Sequence, residues 1–131
     1  MAHFGNDSLS IWGNNEKWVE LREMPSSPLP PELKKWFNAA KRLMELSVSV
    51  HFIRNEDAKK IVGKHLIGVG ALGHAYGDGV FSFIESDIGR DWDREVIVHE
   101  MMHLKYPDLP EGIIFDKKVQ SICDQLGLLL P

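Results

Sequence analysis

The sequence predicts one α+β domain over residues 1–131. Its parts are a backing helix, a small three-stranded mixed sheet, a helix carrying His99-Glu100-Met101-Met102-His103, and a C-terminal helix. Three observations predict this. Apolar residues recur at spacings of three and four from Leu33 to Met44 and again from Phe115 to Leu126, the period of helices packed on one face. Between them lie apolar, β-branched and aromatic runs bounded by glycine and polar clusters, as strands are. Finally, 131 residues with 44% hydrophobic content suffice for one core, whereas two domains would each be too small.

Residues 1–30 are weakly patterned and read as an N-terminal extension or a small hairpin. Its arms are Leu9-Ser10-Ile11-Trp12 and Lys17-Trp18-Val19-Glu20-Leu21, joined at Gly13-Asn14-Asn15 and followed by a proline-rich loop. From Pro31 an amphipathic helix begins, with proline in its first turn and Leu33, Trp36, Phe37, Ala40, Leu43 and Met44 on its apolar face. Val48 to Ile53 alternates like a half-buried strand and ends in the polar run Arg54-Asn55-Glu56-Asp57, which reads as the start of a connection. His51 points away from Val50 and Phe52, where a surface or packing role is its default.

A second strand, His65 to Tyr76, is studded with glycines and turns through Gly77-Asp78-Gly79 into a third, Val80 to Glu85. Glycines weaken a strand interior, so those at 68, 70 and 73 imply either a bulge or close approach of another backbone. A peptide lying along the sheet edge is such a backbone, with Gly70, Ala71, Leu72, Gly73 and His74 as the residues beside it. The helix after it is bracketed by Asp91 as a candidate cap and Pro107 as a stop, with Ile97, Met101 and Leu104 on the face opposite its histidines. The last helix, Ile113 to Leu130, presents Phe115, Val119, Ile122, Cys123 and Leu126 to the core, and begins near Asp108 or Pro110.

A net charge of −4 supplies no basic face for nucleic acid or an anionic membrane. No run approaches the ~20 apolar residues of a membrane span, and the first residues lack a charged-then-apolar leader, so the expected compartment is the cytoplasm. A single cysteine, Cys123, fits a reducing compartment and is expected in the core rather than as a redox switch.

The chemistry concentrates in His99 to His103. Two histidines four residues apart share one face of a helix and can reach one ion from the same side. Glu100 lies about 100° round the helix, near enough to act on an ion's water without ligating the ion. Catalytic zinc usually takes three protein ligands and leaves a fourth position open. A third histidine at the HExxHxxGxxH spacing is excluded, because Tyr106 and Leu109 stand where glycine and histidine would be. The third ligand is then a carboxylate further on: Asp116, thirteen residues after His103, is favoured, with Glu111 and then Asp108 as alternatives.

These residues resemble a zincin metallopeptidase of the gluzincin group. The features are the glycine-containing edge strand Gly70-Ala71-Leu72-Gly73, the hairpin at Gly77-Asp78-Gly79, HExxH, and an acid on the next helix. Spanning about Leu33 to Leu130, the chain is similar to the shortest members, the minigluzincins, and Asp116 to Cys123 resembles the carboxylate helix of the ImmA/IrrE-like peptidases. The resemblance implies a Zn2+ cofactor and hydrolysis of peptides or unfolded protein with Glu100 as general base. Those families usually carry glutamate where this chain has Asp116. Larger gluzincins add a His or Tyr for the oxyanion, a role open here to Tyr106 or His74. The alternative expectation is a non-catalytic metal-binding module of the same fold, used for regulation or interaction. The apolar tail from Leu126 to Pro131 either covers a cleft, its own or a neighbour's, through self-association, or packs on the core.

Overall fold

A computed structural model describes residues 16–62, 73–76, 79–86 and 89–130, with only the backbone described for 16–19, 62 and 73–76. Its elements are α1 (Glu16–Glu23), α2 (Pro31–Met44), β1 (Ser49–Ile53), α3 (Asn55–Val62), β2 (Gly73–Tyr76), β3 (Val80–Ile84), α4 (Arg90–Lys105) and α5 (Ile113–Leu129). The class is α+β. Among the described residues, no helix is long and apolar enough to cross a membrane.

The strands form a sheet in the order β1-β3-β2. β3 runs parallel to β1, with Val50 opposite Phe81 and Phe52 opposite Phe83, and antiparallel to β2, with His74 opposite Ser82. Central β3 is buried from Phe81 to Ile84, so both its faces are covered. Phe52, Phe81 and Phe83 join the main core with α2, α4 and α5, and the Phe52 and Phe83 rings stand 5.0 Å apart. On the other face, His51 bridges Ser82 Oγ at 2.9 Å and the Met24 carbonyl at 2.6 Å, which is the packing role its position suggested. There Ile53 and Ile84 are buried, as are Leu21 of α1 and Ala58 of α3, two helices that pack together.

Helix α2 matches its periodic pattern, with Pro31 in its first turn and Leu33, Trp36, Phe37, Ala40 and Met44 buried. Two other readings are corrected. Lys17 to Leu21 is part of α1 and not a hairpin arm; the proposed partner arm and turn lie outside the described residues. Glu, Lys, Leu and Arg favour a helix, and five residues are too few for a strand pattern to outweigh them. The polar run after β1 is likewise helical: Glu56 and Asp57 sit in the first turn of α3 and Lys59 and Lys60 in the last, the arrangement that complements a helix dipole.

Asp91 does not cap α4. The N-cap is Gly89, without a side-chain cap, and Asp91 is exposed and paired with Arg94 at 2.8 Å. Asp93 anchors that end instead: its Oδ1 accepts the Ser86 N–H at 2.9 Å and its Oδ2 lies 3.2 Å from Arg90. Arg90 also reaches Glu85 and Glu32, tying α4 to the segment that follows β3 and to α2. Burial pushes the Asp93 carboxyl up to about 6, against the pull of Ser86 and Arg90.

Candidate metal centre

Helix α4 is buried along every residue from Val96 to Met102, the polar His99 and Glu100 included. Burial thus extends round the helix and takes in His99 as well as the apolar Ile97 and Met101 on the face opposite it. Helix α5 supplies the covering wall, because Phe115, itself inaccessible, places its ring 4.8 Å from His99 and 4.5 Å from His103. Access is from the His103 side, where that ring is 25% exposed and Glu111 is 17% exposed.

After α4 the chain turns at Tyr106, whose carbonyl accepts the Leu109 N–H at 3.1 Å, and Leu109 packs on the core. Glu111 follows, and then Gly112 at φ +155° and ψ −162°, a backbone conformation essentially reserved for glycine, before α5 starts. This route folds Glu111 back over the histidines. Its Oε1 lies 2.7 Å from His99 Nε2 and 3.3 Å from His103 Nε2, and the two Nε2 atoms are 3.2 Å apart.

His99, His103 and Glu111 form a group that could hold a metal ion, with one donor atom from each, all within 4.8 Å of one another. The donor chemistry fits. Ligands about 2.0–2.1 Å from a tetrahedral ion stand about 3.3 Å from each other, close to two of the three separations here. Two imidazoles and one carboxylate also suit a divalent ion of intermediate softness.

The group's electrostatics are coupled. Burial lowers the His99 pKa, and the Glu111 hydrogen bond only partly opposes this. Burial pulls His103 down as well, but the bond to Glu111 and the charges of Glu100 and Glu111 outweigh it and raise the pKa. Burial would raise Glu111, yet its bonds to the two histidines hold it down at about 2. At neutral pH the carboxylate is ionised and faces two nitrogens that have to share protons or a cation.

The histidines predicted from sequence thus come together, while the favoured third acid does not join them. Asp116 sits half-buried one turn into α5, where its charge acts on His99 and Glu95 without reaching the group. The reason is angular: Phe115 occupies the face of α5 that meets the imidazoles, and the next residue points about 100° away. Glu111, the second choice, lies with the histidines instead. Asp108, the third choice, is exposed and outside the group.

Of the residues proposed along the sheet edge, Gly70, Ala71 and Leu72 lie outside the described residues, while Gly73 and His74 belong to edge strand β2, which packs against α4. Tyr106 faces elsewhere, lining a cavity of about 250 Å³ with Leu43, Met44, Met102 and Lys105, and the Lys118 ammonium lies 4.7 Å from its ring. Cys123 is packed against the core, and burial, reinforced by Glu95 and Asp124, pushes its thiol up to about 12. Comparison with protein-family models, with curated proteins and with solved structures finds no match for the chain.

Proposed function

We propose that the chain is a small zinc-dependent peptidase with a minimal, gluzincin-like zincin domain, in which His99, His103 and Glu111 hold the ion and Glu100 is the general base. The convergence of three donors beside a buried glutamate on the same helix turn carries this reading. A zinc ion bound there supplies a Lewis acid that acidifies water and polarises a peptide carbonyl.

The chain's own residues do the rest. Glu100 accepts the proton of the attacking water and returns it to the leaving amine, serving as base and then acid. Phe115 fixes the two rings and keeps bulk water from their buried side, which strengthens every charge interaction in the group. An extended peptide or an unfolded segment would bind along the edge of β2, opposite its pairing with β3, and so lie across α4. A single cysteine, which has no second to pair with inside the chain, suits the reducing cytoplasm.

One observation favours a second reading, a non-catalytic metal-binding module: Glu100 is only 1% exposed. Zinc-loaded wild type and Glu100→Gln protein, each incubated with a peptide library and analysed for metal, separate the two. Cleavage by the wild type alone at equal metal content supports the peptidase. Equal metal with no cleavage by either supports the module, and failure of both to bind metal removes both readings.

A further inference from the structure

We propose that the cavity of about 250 Å³ where the last turns of α2 and α4 meet the middle of α5 binds the C-terminal residue of an apolar peptide, with Lys118 meeting its carboxylate. One part of the lining is apolar, made by buried Met44 and Met102 and half-buried Leu43 and Ile122. The other part is polar and cationic. It consists of half-buried Lys105 and Lys118 with exposed Tyr106 and Ser121, which mark the open side.

The two ammonium groups differ in what the chain already gives them. Lys105 donates to the Met44 carbonyl at 2.5 Å and so covers the end of α2, where unpaired carbonyls carry partial negative charge. Lys118 has no such task. Its ammonium stands 4.7 Å from the centroid of the Tyr106 ring, and that of Lys105 is 6.0 Å from the same centroid. Among the described residues no carboxylate pairs with either ammonium, and Glu45, the acid next to Met44, is exposed. Lys41 and Arg42 in the last turn of α2, and Lys117, add positive charge to this end of a chain whose net charge is −4. A half-buried ammonium without a counter-ion, beside an apolar hollow, is complementary to an anion carried on an apolar group.

Size and polarity select the carrier of that anion. Cavities that enclose drug-sized ligands run to ~300–1,000 Å³, so this one holds a single large side chain and the group attached to it. Ser121 Oγ accepts the Gln125 amide at 3.2 Å and keeps its own proton to donate, and the Tyr106 hydroxyl both donates and accepts. The main-chain amide beside a terminal carboxylate can use such groups, whereas a plain acyl chain has only its carboxylate to offer them. The flexible thioethers of Met44 and Met102 adapt to side chains of different shape, which favours a class of large apolar residues over a single one.

The same helices carry this cavity and the metal group, since Met102 directly precedes His103 and Lys118 lies about one turn after Phe115. No lining residue is a donor of that group, so binding here requires neither the metal nor the peptidase reading.

Nuclear magnetic resonance titration of the isotope-labelled full chain with N-acetyl-alanyl-leucine, without added metal, tests the proposal. Saturable shifts are expected at the amides of 102–106 and 118–122, with a Kd of about 0.1–1 mM for so small a ligand. The carboxamide of the same dipeptide should bind at least about tenfold more weakly, because the charge-assisted bonds are lost. Lys118→Gln should weaken binding of the acid about fivefold and leave that of the carboxamide unchanged, while Lys118→Arg should keep the affinity. Equal affinity for acid and carboxamide, tighter binding of octanoate than of the peptide, an unaltered Kd in Lys118→Gln, or shifts centred elsewhere in the chain would overturn the proposal. So would failure to saturate by ~10 mM.

Discussion

Helix α4 carries a charged cluster at each end, and the two solve opposite problems. At the N-terminal end one guanidinium, Arg90, is shared by Glu32, Glu85 and Asp93, and the Ser86 N–H completes Asp93. Every negative group there has a donor from the chain itself. At the C-terminal end, two imidazole nitrogens and a carboxylate oxygen aim at one another, with the ring of Phe115 against both histidines. The first cluster orients the helix; the second gathers three donors that could hold a metal ion.

This contrast can be broken in several ways, and the largest effect is expected at Glu100. Glu100→Gln should leave metal content unchanged and cut peptide hydrolysis by about 10²–10⁴-fold, checked by library digestion beside elemental analysis. Residual cleavage at the wild-type rate would exclude Glu100 as the base.

Next come the acids around the histidines. Glu111→Gln should weaken zinc binding by at least about 100-fold, whereas Asp116→Asn should change it by less than about threefold, measured by competition with a chromophoric chelator. Equal losses would return Asp116 to the ligand set, and the reverse order would replace Glu111.

The two clusters should also respond to pH with opposite signs. Asp93 has a folded-state pKa of about 6, above the ordinary 3.8, so the folded state holds its proton more tightly. Its contribution to stability is complete below pH ~4 and is lost as the pH rises through ~6, a change of about 3 kcal/mol. Glu111, held at about 2 against an ordinary 4.5, contributes in the metal-free protein above pH ~4.5 and loses that contribution as the pH falls through ~2. Urea unfolding across this range should show Asp93→Asn removing the first slope and Glu111→Gln the second. A wild-type-minus-variant difference that is flat with pH would refute either assignment.

The smallest effect concerns Cys123. With its thiol at about 12, almost no thiolate exists at pH 7.5, so a disulfide reagent should modify the native chain far more slowly than the urea-unfolded chain. Rapid labelling of the native protein would place Cys123 outside the packed layer.

Much of the fold was legible because it follows from local periodicity. The 3.6-residue repeat of Leu33, Trp36, Phe37, Ala40 and Met44 has one low-energy solution, a helix with that face buried, and α2 adopts it. The pairing of His99 and His103 was legible for the same reason, since four residues of helix place two side chains together whatever surrounds them. Helices α1 and α3 were less so, because eight polar-rich residues carry little apolar pattern to set against a strand or a loop.

Sequence by itself determined which residues could donate to a metal and that two of them share a helix face. Tertiary structure alone decided the third. Glu111 and Asp116 are both acids near the start of α5, and nothing in spacing separates them. The outcome depends on which face α5 turns toward α4, and burial of Phe115 fixes that face. The same packing encloses His99 and Glu100, polar as they are. Which side chains face each other across two helices is set by the whole core at once, because every apolar group must find cover in a single arrangement.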